Sequence, residues 1–392
     1  MIYLRHLIFL LAFFVGSDLV AQQVIEPIIK PGYRPGSDAK MDERGIWMEM
    51  EEAELDLKRS PLIVRNGSLD TYVDDLACHV AGDYCSDLRF YVIRNPHFNA
   101  SMAPNGTVLI HTGLIARITS SDQLAAVLGH ELAHYTQTHS IRRLRAAKRR
   151  MTVGMLFSVG LAVGGIPGSG LPEIFALSSV MGFTRKQELE ADLIGAMFTN
   201  NAGYDPQHSA IIWRLLEAEE QHASIKRDKG PIWFSSHPTS TKRAKKLDKI
   251  SAALIRPTNK IEHMQEDPLR AVLEQNYELV MDEQAKLRDF GRFSTLVDRH
   301  DEMGIRPSLI AFYRGESWRF RGGAGDHEKA IAQYRLAIAD EESIARAYKE
   351  LGYLLYKHGE KEEAKEHFVT YLKKQPDADD REMIEFYLGD GW

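Results

Sequence analysis

The stretch from Ser121 to His139 constrains the chain most. Leu124, Val127, Leu128 and Leu132 recur at helical spacing, and His130-Glu131-Leu132-Ala133-His134 is set among them. Ser121 is placed to cap this helix. On a helix, positions i and i+4 share a face, so His130 and His134 can both bind one zinc ion. Glu131 then stands beside the metal, placed to take a proton from its water. A catalytic zinc takes three protein ligands and keeps one position open, and two histidines with a glutamate are a known set. Downstream, Arg185-Lys-Gln-Glu188-Leu-Glu190-Ala-Asp192 opens a second helix. Glu188 and Glu190 both qualify by chemistry, but two residues apart they face away from each other, whereas Glu188 and Asp192 share a face. This suggests Glu188 on the metal and Asp192 behind it, orienting a ligand histidine through its other ring nitrogen. The expectation is one Zn2+ per chain. His79, His111 and His139 have no ligand spacing to the 130–134 pair and read as structural.

Around that helix the pattern is mainly α with a small β component (α+β). Phe90–Ile93 and Thr107–His111 are short β-rich runs, and Pro104-Asn105-Gly106 is a turn signal, so the two runs are expected to form a hairpin. At 392 residues the chain is too long for one ordinary core, so two domains, or one with an appendix, are expected. Residues 22–40, rich in proline and polar side chains, read as an extended arm. The metal-binding domain spans 41–255 and ends where Arg256-Pro257-Thr258-Asn259 marks a boundary. A helical linker over 256–300 follows. Residues 301–392 then carry a self-similarity: Ala330 and Ala364 stand 34 apart, as do Tyr334 and Phe368. With Leu351-Gly352 and Pro376 these fall at tetratricopeptide offsets, provided Gly322–Gly325 holds a short insertion. Residues 377–388 would be the capping helix of an all-α repeat domain.

The compartment follows from the N-terminus. A positive start, the apolar run Leu7–Val15 and small residues near Val20-Ala21 make residues 1–21 a secretory signal, the alternative being an uncleaved anchor. Export to an oxidising compartment favours a Cys78–Cys85 disulfide over two free thiols or metal ligation. A hydrophobic content of 44% with 27% charge excludes a disordered or multi-span membrane protein, and a net charge of −6 gives no field for nucleic acid. Arg142 to Arg150 form a basic run followed by apolar 151–165. The segment 142–165 therefore reads either as a peripheral contact with an anionic membrane or as a lid over the site.

Four stretches carry a wider resemblance: Asn99–Gly113 (NASMAPNGTVLIHTG), Leu124–His139 (LAAVLGHELAHYTQTH), Glu188–Gly195 (ELEADLIG), and Ser236-His237-Pro238 with Arg243. In order and combination the chain resembles the BepA-like periplasmic zinc metallopeptidases, relatives of HtpX and the CAAX-prenyl proteases. The resemblance implies a zincin-like helical core and puts the third ligand on Glu188, with Asp192 and Arg243 behind the ligands. It matches His237 to a position that approaches the zinc, where it either caps a latent site or stabilises the oxyanion during turnover. It makes Asn99, Ala100, Ser101 and Met102 an edge strand to which a substrate adds. It implies a periplasmic endopeptidase acting on unfolded or misassembled polypeptides in outer-membrane protein assembly and quality control, with protein partners held by the tetratricopeptide module. The rival expectation is a chaperone or assembly factor whose zinc site is latent or structural.

Overall fold

The computed structural model describes residues 26–36, 39–65, 67–150, 182–225, 237, 241–254, 267–340 and 343–389. The leader expected over 1–21, the apolar run 151–165 and the boundary at 256–259 lie outside the described residues.

The fold is mainly helical around one three-stranded sheet. Helices α1 (Met41–Arg59) and α2 (Gly67–Ala81) precede strands β1 (Arg89–Ile93), β2 (Ala100–Met102) and β3 (Thr107–His111). Then follow α3 (Thr112–Ile115), α4 (Ser121–Thr136), α5 (His139–Arg150), α6 (Arg185–Asn201), α7 (His208–Gln221) and α8 (Thr241–Leu254).

The sheet differs from the expected hairpin. β1 and β3 pair in parallel, from Arg89 opposite Thr107 to Ile93 opposite His111. The Pro104-Asn105-Gly106 turn instead joins β3 to β2, which pairs antiparallel with it. The physical reason is the chain between the two β-rich runs. It crosses over through Asn95-Pro96 before supplying a third strand, so the turn signal acts on β2 rather than β1. Gly106 fits this turn at φ +85°, where a Cβ would lie 2.2 Å from Asp87 O. The order β1-β3-β2 leaves β3 central and buried at every position. Period-two alternation sends Val108 and Ile110 to the main core with Leu124 and Leu128 of α4, and Leu109 to a second cluster with Ile46, Met50 and Leu57 of α1. The outer side of β1 is covered by the Ile63–Ile93 bridge and by Val64 N on Val92 O, so among the described residues β2 is the open edge.

The C-terminal half is α9 (Pro268–Gln275), α10 (Tyr277–Ala285), α11 (Phe290–Glu302), α12 (Pro307–Arg321), α13 (Asp326–Ile338), α14 (Ala345–Lys357), α15 (Lys361–Lys374) and α16 (Arg381–Gly389). Helices α9 to α11, in the expected linker region, pack on the N-terminal half. Asn276 Nδ2 donates to Ser68 Oγ at 3.1 Å, Gln284 Nε2 to Pro96 O at 2.9 Å, and His300 Nε2 lies 2.9 Å from Ala116 O. One apolar cluster runs from Ile29 to Ile384. Helices α12 and α13 repeat the contact of α14 and α15: a Cβ on Gly315 would lie 2.5 Å from the Tyr334 ring, and one on Gly352 2.7 Å from the Phe368 ring. From glycine to aromatic the first pair is three residues longer (19 positions against 16); the loop 322–325 is one residue longer than the loop 358–360, and the two flanking helices supply the other two.

Part of the basic run is engaged internally. Arg142 donates to Gln137 O, Arg143 is buried over the Phe183 ring, and Arg145 pairs with Asp42 and Glu43 of α1. Among the described residues no helix is long and apolar enough to cross a membrane.

On the α1 face of the sheet, buried Glu54 accepts from Arg89 Nε (3.0 Å), Tyr91 Oη (2.8 Å), Thr107 Oγ1 (2.8 Å) and Asn105 Nδ2 (3.2 Å). Burial alone would raise its pKa, but the hydrogen bonds from Arg89, Tyr91 and Thr107 outweigh it and hold the carboxyl at about 2, below the ordinary 4.5. A pKa lowered on folding contributes stability that is complete above pH 4.5 and is lost as pH falls toward 2. The urea midpoint should therefore drop across that window, and Glu54→Gln should flatten this part of the profile.

Candidate metal centre

Helix α4 is buried almost all round. Its cap is Ser120 rather than Ser121: Ser120 is extended (φ −155°, ψ 157°), so its Oγ can accept from Gln123 N at 3.4 Å. Ser121 is already helical and turns outward, its backbone N donating to Asp267 Oδ2 at 2.8 Å and its Oγ to Oδ1 at 2.6 Å. Helix α6 opens with a capping box, Thr184 Oγ1 accepting from Gln187 N and Gln187 Oε1 from Thr184 N. The two helices cross at Gly129 and Gly195. A Cβ on Gly129 would lie 2.7 Å from Gly195 O, and one on Gly195 2.7 Å from His130 Cα. Only glycine at both positions allows this approach, and it brings the first turn of α6 under the histidines of α4.

The side chains of His130, His134, Glu188 and His237 converge there, each offering one donor atom, all within 4.8 Å of one another and all buried. The Nε2 atoms of His130 and His134 are 3.0 Å apart. Glu188 Oε1 is 3.6 Å from His134 Nε2, and its Oε2 is 3.6 Å from His130 Nε2. His237 Nδ1 lies 3.1 Å from Glu188 Oε1 and 3.3 Å from His130 Nε2, while its Nε2 is 3.5 Å from Glu131 Oε1. Behind the donors, His130 Nδ1 faces Asp192 Oδ1 at 3.3 Å. Arg243 on α8 binds both oxygens of Asp192 (2.7 and 2.6 Å), reaches Glu188 Oε2 with Nη1 at 2.5 Å and lies over Trp213.

The electrostatics call for positive charge at this point. Burial pushes Glu131 up to about 8, and among the described residues its Oε1 has no hydrogen-bond donor. Burial opposes a charge on His130 too, but Asp192 and Glu188 outweigh it and raise it to about 9. Burial likewise disfavours ionised Glu188, yet His237 and His130 hold it well below the carboxylate range. His134 is driven well below its usual value by burial and by His130, and His237 is lowered to about 4 by burial, so both present neutral rings. Neutral imidazole nitrogens, an ionised carboxylate and an orphaned Glu131 oxygen fit a divalent cation, and the donor types suit zinc.

The residues named from sequence thus meet in one site, and Asp192 and Arg243 stand behind it. The Cys78 and Cys85 sulfurs are bonded, joining α2 to the turn after it, away from the donors. Asn99 to Met102 run along the open sheet edge and pack on α4. Among the described residues His79 and His111 meet backbone carbonyls by hydrogen bond, Ala202 O and His97 O. His139 departs from the structural reading, because its Nδ1 lies 2.8 Å from Nδ1 of His134 and its Nε2 3.3 Å from Glu190 Oε2. Spacing did not reveal it because Thr138, at φ +55°, turns the chain back beneath His134. Phe183, stacked on His134 at 3.8 Å, carried no signal. Gly129 and Gly195 did, as lone glycines inside helical patterns.

Residues 64–251 match the model of peptidase family M48. The chain carries a peptidase M48 domain. Over 167 residues it is 35% identical to the mitochondrial metalloendopeptidase OMA1 of Schizosaccharomyces pombe, covering 42% of this chain and 47% of that protein. Over 192 residues it is 30% identical to the putative beta-barrel assembly-enhancing protease of Vibrio cholerae (46% and 39%), and over 168 residues 32% identical to bovine OMA1 (41% and 32%). The chain spans under half the length of each of these relatives. Peptidases of family M48 use zinc, which agrees with the donor set.

Adding a methyl group at the helix crossing should separate α4 from α6. Gly195→Ala is expected to cost about 1–3 kcal/mol in a denaturant titration. It should also weaken zinc retention on dialysis, since Glu188 moves with α6.

Proposed function

We propose that the chain is a zinc-dependent endopeptidase. The observation that carries this reading is Glu131: a buried carboxylate beside the converging donors, with an oxygen that no hydrogen-bond donor among the described residues meets. His130, His134 and Glu188 would hold the zinc, which when bound supplies Lewis acidity and lowers the pKa of water. Glu131 Oε1 takes the proton of the attacking water and returns it to the departing amine. Asp192 holds Nδ1 of His130, and Arg243 offsets the charge of Asp192 and Glu188. A substrate chain adds to the open side of β2 along Asn99–Met102, through backbone hydrogen bonds. Such recognition reads main chain more than side chains and favours unfolded or misassembled segments.

The leader, the Cys78–Cys85 bridge and the relative named as a beta-barrel assembly-enhancing protease support work in the periplasm, in outer-membrane protein assembly and quality control. The recurring glycine–aromatic contact of α12–α15 supports a tetratricopeptide module that holds partners or substrates.

A second reading, a chaperone or assembly factor with a latent or structural zinc, is favoured by one feature. His237 lies 3.1 Å from Glu188 and 3.3 Å from His130, where it would supply a fourth donor, and a catalytic zinc keeps one position open.

Digestion of casein, with zinc quantified in the same sample, separates the two. The endopeptidase reading expects one zinc per chain and cleavage that falls by ~10²–10⁴-fold in Glu131→Gln while the metal is kept. If His237 caps a latent site, His237→Ala cleaves faster than wild type. If it stabilises the oxyanion, His237→Ala cleaves more slowly. Zinc bound with no cleavage even in His237→Ala selects the chaperone reading.

A further inference from the structure

Each metal-facing histidine must present a bare nitrogen, so its proton must sit on the other one. For His130 this is arranged directly, since Nδ1 faces Asp192. Among the described residues, Nδ1 of His134 meets not a carboxylate but another histidine. His139 Nδ1 lies 2.8 Å away, and its far nitrogen, Nε2, lies 3.3 Å from Glu190 Oε2.

Two nitrogens at 2.8 Å need one proton between them. Were His139 the donor, His134 would carry its proton on Nε2, aimed at His130 Nε2 only 3.0 Å off, and could not ligate. With Nε2 of His134 kept bare, every other proton along the line is assigned. His134 Nδ1–H donates to His139 Nδ1, and His139 Nε2–H donates to Glu190. We infer that His139 and Glu190 are positioning residues that fix the tautomer of His134 and thereby set the affinity of the site for zinc.

Three further observations fit this role. His139 is fully buried, and Glu190 keeps 20% side-chain exposure, so the relay runs from the buried site to a carboxylate at the protein surface. The backbone is bent to place the relay: Thr138, a β-branched residue, adopts φ +55°, which such side chains rarely adopt, and the next residue is His139. Phe183 stacked on His134 fixes the ring plane but has no polar atom to choose its tautomer. The acidic string of α6 is then fully used, with Glu188 toward the metal, Asp192 behind His130, and Glu190 behind His134 through His139.

The inference rests on the metal-centre reading but not on peptidase activity, so its test is zinc affinity, measured on the full chain by competition with a chromophoric chelator. His139→Phe keeps the bulk and removes the acceptor, and should raise the zinc dissociation constant ~10–100-fold. His139→Gln can accept from His134 Nδ1–H and donate to Glu190, so it should recover most of that loss. Glu190→Ala should fall between wild type and His139→Phe. Apo-protein circular dichroism and melting, run alongside, report folding. The inference is overturned if folded His139→Phe binds zinc as tightly as wild type, or if His139→Gln is no better than His139→Phe. Should His139→Phe not fold, Glu190→Ala decides, and wild-type affinity there overturns the inference equally. A wild-type chain that takes up no zinc overturns the metal centre itself, a distinct outcome.

Discussion

The site depends on how closely two helices approach. Gly129 and Gly195 let α4 and α6 cross so tightly that a methyl group on either would sit 2.7 Å from the other helix's backbone. Donors separated by more than fifty residues in sequence therefore fall within one coordination sphere. The approach is held from both helices: Thr199 Oγ1 of α6 donates to Ala125 O of α4 at 3.4 Å, and Ala133, Ala191 and Ile194 close the seam. Histidine and glutamate side chains are short, so an error of 1 Å in this crossing passes undiminished to the donor positions.

Charge is the second constraint. Glu131, Glu188 and Asp192 are buried within a few ångströms of each other, and unpaired buried charge is expensive. Arg243 compensates two of them, and Arg143 contributes a more distant positive field at Glu131. What remains uncompensated is seen in the proton retained on His130 and in the raised pKa of Glu131. A divalent cation relieves both at once. The features that would make Glu131 an effective base are thus the same ones that suit the cluster to a divalent cation.

Much of this was legible in the sequence because it is local. Two histidines four apart on an apolar helix can only share a face, and Glu188 with Asp192 obey the same geometry. The recurring contact of a ring with a glycine on the preceding helix was signalled by Tyr334 and Phe368, 34 positions apart. What sequence did not reveal depends on long-range placement. Parallel pairing of β1 with β3 is decided by what the intervening chain packs against, and the turn signal at 104–106 is silent on which strand it serves. The cap one residue earlier than expected turns on a single backbone conformation at Ser120. His139 read as structural because its five-residue offset from His134 is not a helical neighbour's. It becomes one only through the left-handed turn at Thr138.

The C-terminal helices belong to the same argument. Glu219 on α7 is bound by Arg117 at 2.7 Å and approached by Arg299 of α11 at 3.8 Å, all three side chains buried. Arg117 also donates to Pro96 O and Gly113 O, and Pro96 O accepts from Gln284 of α10. Pro96 begins the segment that leads into β2, and α7 packs on both α4 and α8, the helix that carries Arg243. Removing one member of such a buried cluster strands the charges that remain. The open sheet edge and the helices that hold the donors are thereby built on the same cluster as α10 and α11. The helices beyond α11 are therefore joined to the site through packed helices and paired charges rather than through a flexible tether.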